Sequence, residues 1–177
     1  LSYRLEEEQE LAEPGSRVWV IVVSGLALGS VTAWLAHDDN WPLAFVVLPL
    51  TLAGPALAAI DLDVMRLPNI ILAPAALLTL AGLAIAGALR GDWSTPSRAA
   101  AGALLAGGTL WLLSLITRGG VGFGDVKLAA LVGLATGAVA MSAAWWALLV
   151  GSASALLLVT VARRRGPIPY GPWLLLG

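Results

Sequence analysis

Two short acidic segments in this 177-residue sequence have the residue types and spacing to do chemistry. In the first, Ile60-Asp61-Leu62-Asp63-Val64-Met65-Arg66-Leu67-Pro68-Asn69, carboxylates follow directly on an apolar run. In the second, Val121-Gly122-Phe123-Gly124-Asp125-Val126-Lys127-Leu128, a carboxylate stands between flexible glycines and a lysine at the mouth of another apolar run. Two carboxylates brought close together cannot both ionise easily, so they share a proton and titrate as a pair. The ionised partner can then take a proton from water, which attacks a carbonyl carbon. The protonated partner hydrogen-bonds the carbonyl oxygen as it becomes anionic. Asp61 and Asp125 are the pair expected to meet, at the rim of a helical bundle.

Not every acidic residue qualifies. Asp38, Asp39 and Asp92 sit in short polar connections and read as solvated turn residues. Asp125 differs because it opens an apolar segment, which leaves it partly desolvated. Gly122 and Gly124 let the backbone approach it closely, and a helix N-terminus there favours the anion. A carboxylate within a bilayer costs ~2.5–3.5 kcal/mol on insertion scales and marks a functional candidate. Asp63, two residues beyond Asp61, is the rival for the first position; it reads as polar loop or a substrate contact. Lys127 is expected to steady Asp125 or lipid phosphate, or simply to snorkel to the interface.

The elements that must position these groups are membrane helices. The chain is 59% hydrophobic and 12% charged, with a mean hydropathy of +0.87, whereas soluble domains carry about a quarter charged residues. An aqueous fold of this size could not hide that much apolar surface, so the bilayer is the expected solvent. There is no cysteine and a single histidine, His37. This excludes disulfides, a thiol nucleophile and Cys- or His-based metal sites, and no cofactor is implied. A formal net charge of -1 gives no reason to expect nucleic acid.

Residues 1–16 read as a charged cytosolic tail ending at Pro14-Gly15, and residues 17–177 as one transmembrane domain. Spans are expected at Val18–Ala36, Pro42–Ile60 (kinked at Pro49 and Pro55), Ile70–Leu89 and Ala99–Thr117. Residues 128–162 carry no charge. As one helix they would be roughly 50 Å long, well beyond a bilayer core, so a hairpin turning between Gly137 and Trp145 is expected. A final apolar helix beginning near Tyr170 is too short to span and reads as truncated. The fold class is therefore all-α: a polytopic bundle of about six spans plus that last helix. Placing the N-terminus in the cytosol puts Arg4, Arg17, Arg66, Arg118, Lys127 and Arg163 to Arg165 inside, and only Arg90 and Arg98 outside. That bias satisfies the positive-inside rule and puts both acidic segments on the cytosolic face. Small-residue pairs such as Gly133 with Gly137, and Gly102 with Gly107-Gly108, are assigned to helix packing.

Gly122-Phe123-Gly124-Asp125 with Val126-Lys127-Leu128 resembles the GxGD motif of the type IV prepilin peptidases, membrane aspartic proteases whose motif presenilins share. Asp61, with Pro68 seven residues later and then Asn69, resembles that family's first motif. Ile168-Pro169-Tyr170-Gly171-Pro172 resembles its terminal segment. Three motifs in order, from about residue 42 onward, make the match specific. The resemblance implies Asp61 and Asp125 as catalytic pair, Gly122 and Gly124 as backbone-shaping residues, and Pro68-Asn69 as the turn starting the third span. It also implies cleavage of a short basic leader from prepilins or pseudopilins at the cytosolic face of the cell membrane, with the substrate's apolar helix remaining in lipid. Larger members carry an N-terminal cysteine-containing domain tied to methylation. This sequence resembles the short, peptidase-only form, which includes Tad-type and preflagellin-type enzymes. Two other readings are weighed against it. A GxGD protease of other specificity would not call for Leu67-Pro68-Asn69. A small transporter using the two aspartates as an ion or proton relay would want them at mid-membrane on broken helices.

Overall fold

The apolar runs fold into six α-helices in the computed structural model, which describes residues 18–37, 40–64, 67–116 and 122–162, together with Leu175. In chain order they are α1 (Val18–His37), α2 (Ala44–Val64), α3 (Asn69–Arg90), α4 (Ser94–Ile116), α5 (Phe123–Val139) and α6 (Met141–Ala162), with a 3₁₀ turn at Trp41–Leu43 before α2. No strand occurs among the described residues. Among the described residues four segments are long and apolar enough to cross a membrane: Val20–His37, Trp41–Asp61, Asn69–Arg90 and Ser94–Ile116. The chain is an all-α membrane bundle. The 1–16 tail, Asp38-Asp39, Arg66, Arg118, Arg163 to Arg165 and the Ile168–Pro172 motif lie outside the described residues. Of the final helix only Leu175 is described, and it packs against Gly54 and the core beneath it.

The uncharged run from Leu128 breaks at Ala140, within the expected interval. Ala140 is extended (φ -158, ψ 146), and its carbonyl accepts from the N–H groups of Ala143 and Ala144. One residue thus ends α5 and starts α6. The second span lies where expected, at Trp41–Asp61, but the helix that carries it runs further. α2 continues past Ile60 to Val64 and stays helical through Pro49 and Pro55. A charge ends a membrane span but not a helix; the first residue downstream that disfavours helical backbone before it is Pro68. Asp61 is therefore carried on a helix and not on a loop.

Helix ends at the two poles of the bundle are fixed differently. α3 starts at Pro68, whose backbone is extended, and closes at Gly91 in the left-handed region (φ 60), the usual place for glycine just past a helix. Asp92 then accepts from the Ser94 backbone N–H and hydroxyl, each at 2.8 Å, and from the Thr95 hydroxyl. The Ser94 hydrogen bonds, helped by Arg98, hold its carboxyl below the ordinary value. At this same pole Arg90 Nη2 donates to Asn40 Oδ1 at 2.6 Å, and Arg98 Nη2 reaches the Ala138 carbonyl near the end of α5. The acidic motifs occupy the opposite pole.

The closest packing joins α4 to α5. A Cβ on Gly102 would collide with the Gly133 carbonyl oxygen, and one on Gly133 with the Gly102 carbonyl oxygen. A Cβ on Gly137 would come within 2.8 Å of the Arg98 carbonyl oxygen, and one on Gly107 within 2.7 Å of the Ala130 methyl. Small residues permit such backbone approach, which drives helix association where lipid removes the hydrophobic incentive. α2 and α3 meet similarly, Gly82 lying against the Phe45 carbonyl. Leu57, Leu72, Leu128, Leu131 and Val132 form a core among α2, α3 and α5.

Gly102→Val or Gly133→Val should lower stability in detergent by about 3 kcal/mol or more, because backbone faces backbone and neither can yield. Gly108→Ala on the same helix meets nothing within 4 Å and should be neutral or stabilising by up to ~1 kcal/mol. Thermal unfolding of the purified variants checks both, and equal effects would refute the seam.

Candidate active site

Three helix ends build the candidate site: the last turn of α2, the first turn of α3 and the first turn of α5. Asp61 lies in the last turn of α2 and is 3% exposed. Asp125 lies in the first turn of α5 and is half-buried. Asp125 is partly desolvated and also lies within electrostatic reach of Asp61, so α2 and α5 carry the two sequence-predicted carboxylates to the same end of the bundle. Asp63 follows in the same helical turn. Two positions on at 3.6 residues per turn is roughly 200° around the axis, so its register position is on the other side of α2.

Each glycine of the second motif has its own steric reason. Gly122 caps α5, accepting from the Asp125 and Val126 N–H groups at 3.1 and 3.3 Å. The Asp125 carboxylate lies back toward the Gly122 backbone. A Cβ on Gly122 would stand 3.3 Å from Asp125 Oδ2. Gly124 faces elsewhere: a Cβ there would stand 3.2 Å from Leu67 Cβ. The first glycine leaves room for the carboxylate, and the second seats the α2–α3 connection against α5.

Lys127 does not pair with Asp125 as one expectation had it. Its Nζ donates to Asn69 Oδ1 at 3.2 Å and lies 5.1 Å from the centre of the Phe123 ring. The lysine of the second motif is thus tied to the asparagine of the first. Sequence reasoning missed this bridge. Asn69 at the first position of α3 and Lys127 in the second turn of α5 reveal nothing of each other until the two helices are packed. Among the described residues no group of three His, Cys, Asp or Glu side chains converges as a metal site.

Residues 48–162, from within α2 to the end of α6, match the model of the Type IV leader peptidase family. The chain belongs to that family. It is accordingly a peptidase, a hydrolase of peptide bonds, built as a multi-pass membrane bundle. The matched region contains both aspartates and the whole seam between α4 and α5. No curated protein and no solved structure matches the chain.

A branched side chain at position 122 would press on the Asp125 carboxylate and little else. Gly122→Val should therefore reduce peptidase activity at least about tenfold, since displacements near 1 Å can cost up to a hundredfold, with little change in the unfolding midpoint. Gly124→Val should lower both activity and midpoint, and Leu67→Ala in the same chain should restore part of each. Activity and melting curves measured side by side distinguish the two glycines.

Proposed function

We propose that this leader peptidase is an aspartic endopeptidase in which Asp61 and Asp125 act as the catalytic pair. It removes the basic leader from prepilins or pseudopilins at the cytosolic face of the cell membrane. The observation that carries the reading is a carboxyl as buried as Asp61 held within electrostatic reach of Asp125, at the end of the bundle away from Arg90 and Arg98.

The chemistry follows from one shared proton. The ionised carboxylate removes a proton from a water molecule, whose oxygen bonds to the scissile carbonyl carbon. The other carboxyl donates its hydrogen bond to the carbonyl oxygen as negative charge develops there. The tetrahedral intermediate collapses by breaking the C–N bond. The proton taken from water passes to the leaving amine, and the acyl fragment leaves as a carboxylic acid. Peptide and water are the only reactants, and the pair returns to its starting state.

Gly122 and Gly124 shape the backbone around Asp125, and Pro68-Asn69 sets the start of α3. Lys127 holds Asn69, and Asp63 is left to touch the substrate leader or solvent. The position at a helix-bundle rim suits the substrate, since water and leader arrive from the aqueous side while the remaining helix lies in lipid. The partners are then a prepilin or pseudopilin helix and membrane lipid, with no role for nucleic acid.

Co-expression of a leader-bearing pilin precursor with each variant tests this. Asp61→Asn and Asp125→Asn should each reduce leader removal by at least about a thousandfold, and Asp63→Asn should largely spare it. Loss in Asp63→Asn with activity in Asp61→Asn would reassign the pair, and normal processing by Asp125→Asn would reject the aspartic mechanism. The wild-type kcat/KM should also fall on both sides of a pH optimum, because one carboxyl must be ionised while the other is protonated. A rate that only rises with pH contradicts a shared proton.

A further inference from the structure

The polar bridge between Asn69 and Lys127 closes one end of a groove the chemistry above does not use. It runs between α3 and α5 with α4 at its side, holds about 460 Å³ and is almost wholly apolar. Four alanines, Ala73 and Ala76 of α3, Ala103 of α4 and Ala130 of α5, line it together with four leucines of α3 and α5, and its only polar residues are Asn69 and Lys127. Its α3 wall runs from Asn69 to Leu80, three turns or roughly 17 Å. α3 and α4 are both candidate spans, so an opening between them faces the bilayer.

We propose that this groove seats the apolar transmembrane helix of the substrate, on the side continuous with the cleaved segment. The proposal rests on the peptidase reading above and assigns that site its lateral entrance. Three observations select the occupant. Whatever enters from lipid must satisfy its own backbone, which for a single segment means an α-helix. Four of the eight apolar wall residues are alanines, and small residues are what helix backbones need for close approach; the same chain uses that device between α4 and α5. Finally, the groove's polar end lies beside the candidate dyad: Lys127 is two residues from Asp125, and Asn69 follows the Leu67-Pro68 connection packed on Gly124. A helix lying along the alanines is led, at its end nearest Asn69, to the carboxylates.

The chain contains no cysteine, so single introduced thiols report contact without background. The probe is a precursor that the wild-type chain cleaves, carrying one cysteine in the second turn of its apolar helix, reconstituted with the full chain in lipid vesicles. In the Asp125→Asn background, Ala73→Cys or Ala103→Cys should form a disulfide with the precursor under mild oxidation. Leu78→Cys, on α3 but outside the groove and 60% exposed, should not. In the otherwise wild-type chain, Ala73→Trp should raise KM at least about tenfold with kcat within about twofold, the signature of lost binding and not lost chemistry, while Leu78→Trp changes neither. Ala73 is exposed, so its replacement leaves the core intact. Cross-linking at position 78 equal to that at 73 and 103 overturns the proposal. So do disulfides only between two copies of the chain, or no precursor cross-link at all, the result expected of a groove filled by lipid. Cross-linking reads docking whether or not Asp125 is the catalytic group. Failure of the groove and failure of the dyad therefore give different results.

Discussion

The arrangement depends on a contact made by the absence of side chains. Where α4 crosses α5, Gly102 and Gly133 bring backbone against backbone, and even one methyl group on either would collide with the opposing carbonyl. In water, burying leucines could hold two such helices together; in lipid the tails solvate leucine as well as a protein neighbour does. Close packing must then carry the association. The helix so fixed is the one that carries Asp125, and it also meets α2, α3 and α6. The glycine seam therefore sets where one carboxyl stands, and α2 brings the other to it.

Helix ends do the rest. A bilayer forbids loose backbone at depth but allows it at the rim, where unpaired N–H groups find water or a side chain. The candidate site uses that freedom three times. α2 runs on until Asp61 is on a buried face, Pro68 starts α3 with Asn69 pointed toward α5, and Gly122 caps α5 with the Asp125 carboxylate folded over it. The opposite pole uses similar parts structurally: Asp92 caps α4, and Arg90 and Arg98 tie Asn40 and the end of α5. The two poles differ in that Asp92 stands beside hydroxyl donors and Arg98, while Asp125 stands within reach of the Asp61 charge.

Much of this could be read from the sequence because charge is expensive in lipid. The spans, the hairpin break near Ala140 and the gathering of both acidic motifs at one pole all follow from where the charges are allowed to be. The span boundary near Ile60 was legible for the same reason, but not the helix end: hydropathy reports where lipid ends, whereas the helix runs on to Val64. The Lys127–Asn69 bridge and the distinct steric duties of Gly122 and Gly124 were not legible. They depend on which helix faces which, and an alanine- and glycine-rich chain offers many equivalent pairings before it is packed. Gly133 with Gly137 looked no more significant than other small pairs, and only its position opposite Gly102 and Arg98 gives it weight.

The bundle divides into two tightly packed pairs, α2 with α3 and α4 with α5, each joined by a glycine against a neighbouring carbonyl. Contact between the pairs is sparser along the line where α3 passes α4. One carboxylate of the candidate dyad rides on each pair, and the groove lined by Ala73, Ala76, Ala103 and Ala130 lies between them. The width of that groove and the separation of Asp61 from Asp125 are therefore set by one and the same spacing. On the proposed reading, a peptidase that admits a helix sideways while keeping two carboxyls near each other faces opposed demands, openness for the first and closeness for the second. Dividing the carboxylates between the pairs would serve both, with the Lys127–Asn69 hydrogen bond and the Leu67–Gly124 contact joining the pairs at the site end.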